Sequence, residues 1–148
     1  MFKRIDSYIL EEMTNAFLFG VIAFSSIFAG VGIIPNLVRE ASTYGLGFVV
    51  VMQLFLARIP QVMVYTFPMS ILLATLTVFG RLSNDSEITS FRASGVSLSR
   101  IIRPALILGL MVSLLALTFN EMLVPKANVY VNYLIVKARN EYQPVFRT

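Results

Sequence analysis

The side chains able to do chemistry in this 148-residue chain are few, and most stand in one stretch. There is no histidine, cysteine or tryptophan. That excludes disulfide frameworks, thiol nucleophiles, zinc fingers and imidazole catalysis together. The polar block runs from Arg81 to Arg103 and contains Asn84, Asp85, Glu87, Ile88, Phe91 and Arg92. Asn84 is a good helix N-cap, and Glu87 three residues later can reach back to the cap's backbone N–H, a capping box in its Asn form. Asp85 and Glu87 suit the positive end of the helix they would open. Ile88 and Phe91 share a face at spacing three, and Gly95 suits the left-handed position that stops a helix. Ser97 or Ser99 can open the next one. A short capped helix of this kind presents a carboxylate and an apolar pair to a groove on a cytoplasmic partner. The alternative is a solvated connecting loop.

Arg39 and Arg58 border long charge-free runs, where an arginine stem can snorkel to the interface as an anchor. The chain has no GxxxxGK[ST] phosphate loop. An intramembrane enzyme would need an acid or base at depth, and the charge-free runs offer only Ser, Thr, Asn, Gln and Tyr. Ser25 and Ser26 are expected to bond to their own helix backbone.

The elements that position these residues follow from where charge is missing. Hydrophobic residues make up 57% and charged ones 14%, against about 45–50% and 25% in ordinary soluble domains. Mean hydropathy is +0.77. A small soluble domain could not cover its surface with so few charges, and a disordered chain would not be so apolar. The net charge of +4 is scattered, which argues against nucleic acid. Met13–Val38, Ile59–Gly80 and Pro104–Asn120 carry no charge over 26, 22 and 17 residues, and a spanning helix needs about 17–25.

The fold class expected is therefore an all-α membrane protein. It has three transmembrane helices, with a short cytoplasmic coupling helix between the second and third. The spans are 13–38, 58–80 and 101–124, and the coupling region is 81–100. Residues 1–12 form an interfacial helix with Phe2, Ile5 and Ile9 on one face beside Lys3, Arg4 and Asp6. Residues 39–57 are an outer loop and lead-in, and 125–148 an outer segment. Ala41–Ala57 is charge-free as well, and Tyr44–Ala57 extends the second helix, tilts into it, or lies in the interface; a fourth complete span is the less favoured alternative, because no turn-sized polar stretch separates it from Ile59. Pro60 and Pro68 can kink the second span.

Four arginines in 81–103 against Arg39 alone in 36–44 place the first block inside and the second outside, with the N-terminus cytoplasmic. Lys126, Lys137, Arg139 and Arg147 oppose this from a segment where the rule is weak. Small residues allow helices to approach in lipid. Ala105, Gly109 and Ser113 form one stripe, with Ala16 and Gly20, Ser26 and Gly30, and Ser70 and Ala74 as further pairs. Gly30 and Gly32 mark a pliable region.

The runs Tyr65-Thr-Phe-Pro-Met-Ser-Ile-Leu-Leu-Ala-Thr-Leu76, Phe79-Gly-Arg-Leu-Ser-Asn-Asp-Ser-Glu-Ile88 and Arg92-Ala-Ser-Gly-Val-Ser97 resemble the lipopolysaccharide export permeases, the LptF/LptG family. Tyr8-Ile-Leu-Glu-Glu12 and Val124-Pro-Lys-Ala-Asn128 are also similar to it. The resemblance implies a permease subunit in the inner membrane, multi-pass and with no catalytic residues. It would be paired with a paralogous permease and driven by a cytoplasmic ATPase dimer that holds the ATP and magnesium. It implies lipopolysaccharide as substrate, taken from among the membrane lipid and handed to a periplasmic bridge protein. It also implies a β domain and three more helices beyond this half. Under it, Asn84, Asp85, Glu87, Ile88, Phe91 and Arg92 dock the ATPase, and Arg39 and Arg58 meet the lipid's phosphates. A small membrane scaffold without transport activity is the alternative.

Overall fold

The computed structural model describes residues 2–142, with the side chains of residues 4–138 and 140. Expectations on the side chains of Phe2, Lys3 and Arg139, and on Arg147, lie outside the described residues. The chain forms α1 (Phe2–Phe28), a π-helical turn (Ala29–Ile33), α2 (Ile34–Tyr44), α3 (Phe48–Asn84), α4 (Glu87–Ala93), α5 (Leu98–Thr118), a second π-helical turn (Phe119–Leu123) and α6 (Val124–Tyr142). Three stretches are long and apolar enough to cross a membrane, Arg4–Tyr44, Phe48–Asn84 and Leu98–Ala138. Leu72, Leu76, Leu106 and Leu110 are 61–68% exposed. In water such leucines would each forfeit about 1.5–3 kcal/mol of burial, whereas lipid tails solvate them. The molecule is an all-α membrane protein with a short helix between its second and third spans.

The helices overrun the apolar runs that announce them. A 37-residue helix such as α3 is about 55 Å long, against about 30 Å of hydrocarbon. Tyr44–Ala57, for which the sequence allows three forms, contributes its end to α2 and the rest to the start of α3, with a turn at Gly45–Gly47. Gly45 sits at φ 63 and Leu46 N–H donates to the Ala41 carbonyl at 3.2 Å, a left-handed glycine stop. Residues 2–12 continue into the first span without a break. Residues 124–142 are helical as well.

The residues fall into two compact units, 1–24 with 65–116 and 25–64 with 117–148. The core of the first contains Ile9, Met13, Val78, Leu82, Val96 and Ile101, so α1, α3, the end of the α4 loop and α5 meet in one cluster. Each supplies a helical stripe: Ile9 and Met13 four apart, Val78 and Leu82 likewise. Further along, Thr66, Ser70 and Ala74 are fully buried on α3. A Cβ added at Gly20 would lie 3.1 Å from Ser70 Cβ and 3.2 Å from its Cα. The small pairs Ala16/Gly20 and Ser70/Ala74 thus mark a true close approach of α1 and α3. The rings of Phe17 and Phe67 meet beside it, tilted by 41° with centroids 6.1 Å apart.

The stripe Ala105–Gly109–Ser113 is not such a contact within this chain. Ser113 is exposed and the space around Gly109 is open. The buried residues of α5 are Ile101, Pro104 and Val112. Steps of four advance about 40° past a full turn, so the row beginning at the half-buried Ala105 rotates off the packed face.

The core of the second unit contains Ile33, Leu37, Leu54, Val131 and Leu134, from α2, the first half of α3, and α6. Val131, Leu134 and Ala138 recur at helical spacing, and Tyr130, Tyr133 and Lys137 face outward. In both π-helical turns the bond closes over five residues: Ile34 N–H to the Ala29 carbonyl, and Val124 N–H to that of Phe119. Gly30 and Gly32, expected to be pliable, fall in the first, where Asn36 Nδ2 donates to the Gly32 carbonyl at 2.7 Å.

Candidate functional site

The first unit holds the docking residues expected in the polar block, in a different local arrangement. Asn84 is not an N-cap. It is the last residue of α3, and the N-cap position of α4 belongs to Ser86, with no side-chain capping bond. The reason is Leu82: it lies four residues beyond Val78 in the same core stripe, so α3 must stay helical past it. The turn that remains is two residues long. Asp85 N–H donates to the Arg81 carbonyl at 2.9 Å and Ser86 N–H to that of Ser83 at 3.1 Å. Ser86 takes φ 58, a left-handed conformation that costs a non-glycine residue about 1–2 kcal/mol. Glu87 becomes the first residue of α4, where its charge still suits the helix end.

The other end of α4 is built as the sequence proposes. Gly95 has φ +84, its N–H donates to the Arg92 carbonyl, and Val96 N–H donates to that of Phe91, both at 3.0 Å. These two bonds make a Schellman stop. Ser97 stands just before α5, and its carbonyl receives Arg100 N–H at 3.1 Å. Ser90 and Ser94 hydroxyls donate to the Ser86 and Ser90 carbonyls, which quiets one polar group on the seven-residue helix and one at its C-cap.

Ile88 and Phe91 share a face, but that face leans on the chain's own core cluster, and both are half-buried. They form the seat of α4 more than a free apolar edge. Asn84, Asp85 and Arg92 are exposed and Glu87 is half-buried. The surface α4 offers outward is therefore polar. Arg81 points elsewhere: its Nη2 donates to Glu12 Oε2 and, at 3.0 Å, to the Tyr8 hydroxyl. Sequence reasoning missed these partners, although Tyr8 and Glu12 stand four apart on one helix face.

The second unit holds the two arginines. Arg39 is exposed, and with Glu40, Thr43, Tyr44 and Ile135 it lines a small polar pocket. Arg58 is committed: its Nη2 lies 2.7 Å from Glu40 Oε1, both side chains only about a fifth exposed. Glu40 Oε2 is buried with no hydrogen-bond partner. The sequence did carry a signal for this pair, since a charge interrupting an apolar run needs a counter-charge, and Glu40 is the acid nearest that end. Among the described residues no cluster of acidic side chains could hold a metal ion.

No curated protein and no solved structure matches the chain. Its residues 7–147 match the family described as lipopolysaccharide export system permease LptF/LptG. With nearly all of its length inside that match, the chain belongs to the LptF/LptG family of membrane permeases, which are transporter subunits and not enzymes.

Proposed function

We propose that the chain serves in the permease of an ATP-driven lipopolysaccharide exporter. In this reading it works beside a paralogous permease, draws the glycolipid from the inner membrane, and passes it to a periplasmic bridge protein. Energy enters from a cytoplasmic ATPase dimer, which holds the ATP and magnesium, through the segment 81–100. The observation that carries this reading is the seating of α4. Ile88 and Phe91 rest on the same cluster as Ile9 and Met13 of α1, Val78 and Leu82 of α3, and Ile101 of α5. A push on α4 is then a push on three membrane helices at once. The ATPase would meet Asn84, Asp85, Glu87 and Arg92 on the polar side, with Ile88 and Phe91 as the floor. On the lipid side, Arg39 is the better phosphate ligand, because Arg58 is already neutralised by Glu40.

The decisive experiment is ATP hydrolysis in the reconstituted complex. Lipopolysaccharide should stimulate it, and Glu87 variants should uncouple it. With no capping box to lose, Glu87→Gln and Glu87→Ala remove the same thing, a charge. Both are expected to lower ATPase pull-down and transport alike. Full coupling in Glu87→Ala together with Phe91→Ala would return the segment to a plain loop.

The orientation is tested separately. Cysteines introduced at Arg39 and Asn84 are treated in intact cells with a membrane-impermeant thiol reagent. Label is expected at 39 and not at 84. Label at 84 would invert the topology and remove the docking surface from the cytoplasm.

A further inference from the structure

The docking reading gives no part to Arg81, at the start of the segment 81–100. Arg81 stands in the last turn of α3, where positive charge suits the helix's negative end. Its guanidinium binds two acceptors on α1, the Glu12 carboxylate and the Tyr8 hydroxyl. Tyr8 and Glu12 flank the stripe Ile9–Met13, which is fully buried in the cluster with Val78 and Leu82. That apolar stripe holds the two helices together. The ion pair, with Arg81 46% and Glu12 22% exposed, is open to water and salt and adds little to stability. What it offers is a tie: one guanidinium nitrogen, Nη2, reaches from the end of α3 to two acceptors on one face of α1. The strained turn at Asp85–Ser86 comes directly after that end.

We propose that Arg81 is a positioning residue. Held by Glu12 and Tyr8, it fixes the end of α3 on α1, so that a push received at α4 is delivered to α1 and not absorbed by the turn at Asp85–Ser86. This rests on the docking reading above.

The test uses the assembled complex with its ATPase in lipid nanodiscs. Arg81→Ala and Glu12→Gln are expected to lower the ratio of lipopolysaccharide-stimulated to basal ATP hydrolysis by about two- to fivefold, the factor an exposed ion pair can carry. The ATPase still co-purifies with both. The exchange Glu12→Arg with Arg81→Glu restores most of the ratio, and Tyr8→Phe gives the smaller loss. Added salt lowers the ratio in the wild type and leaves it flat in Arg81→Ala. A role in folding alone would reduce the yield of complex without moving the ratio. An unchanged ratio in both single variants overturns the proposal, as does an exchange no better than the single changes. Failure of the ATPase to co-purify with the wild-type complex would sink the docking reading and this inference with it. Retained docking with an unchanged ratio sinks this inference alone.

Discussion

Replacing Gly20 with leucine is expected to be among the most damaging single changes in the chain. The first added carbon already meets Ser70 at 3.1 Å, and its second neighbour is Ser70 Cα at 3.2 Å. A flexible side chain could swing away from such a contact, but a backbone atom can yield only if α1 and α3 separate. Overpacking typically costs about 1–3 kcal/mol, and the branched remainder of a leucine here takes the cost to the top of that range. The close approach also covers Thr66, Ser70 and Ala74, which separation would open to lipid. A thermal melt of the detergent-purified protein should show a clear loss for Gly20→Leu and a smaller one for Gly20→Ala. Gly109→Leu provides the contrast, since nothing lies within 4 Å of its added carbon, and should melt with the wild type. Equal melts for Gly20→Leu and the wild type would mean that α1 and α3 do not touch at Ser70. A loss at Gly109 would instead show that the stripe Ala105–Gly109–Ser113 seats a helix of another chain.

Leu82→Ala carries the second large effect. Leu82 is fully buried between Ile9 and Met13 of α1 and Val96 and Ile101 at the other side of the loop. Removing a buried leucine down to alanine costs about 2–5 kcal/mol, depending on how far the surroundings collapse. Here they are poorly placed to collapse. The Gly95 stop and the Ser86 turn fix both ends of α4, and Ile88 and Phe91 rest on the same cluster. The expected outcome is fast amide hydrogen exchange across 85–97 and weaker ATPase pull-down, with the second unit unaffected. Leu76→Ala, at a position 66% exposed, is the control and should change neither. Exchange in 85–97 as slow as in the wild type would mean that the segment does not depend on this core.

Much of this architecture was legible because charge is so costly in lipid. The long charge-free runs announce the three spans once Ala41–Ala57 is joined to the run after Arg58, and the glycine at 95 announces the end of α4. The ends of the long helices were not legible in the same way. Hydropathy reports where lipid begins and ends, while a helix continues as long as its backbone bonds and its buried stripe favour it. Leu82 keeps α3 helical to Asn84, and that displaces the capping box spelled by the local sequence. Gly45 and Gly47 were available as turn signals and outweigh the uninterrupted hydropathy around them. The pairings Arg58–Glu40 and Arg81–Glu12 join residues 18 and 69 positions apart. No local spacing rule reaches that far, although the need of a charge beside lipid for a partner does point toward such pairs. The seating of Ile88 and Phe91 was half visible: their shared face was plain, but not whether it turned inward or outward.

The two π-helical turns have a consequence for how such a chain can change in length. A bond closed over five residues holds one residue more than an α-helical turn does. Losing one residue from Ala29–Ile33, for instance the 77% exposed Val31, would convert that turn to ordinary α-helix and leave Leu37 facing its core as before. The same loss within α5 would swing everything beyond it by about 100° and turn its buried face outward. Single-residue gaps are therefore tolerable at 29–33 and at 119–123 and ruinous a turn or two away. Relatives of unequal length can share every buried position if their gaps fall at these two places.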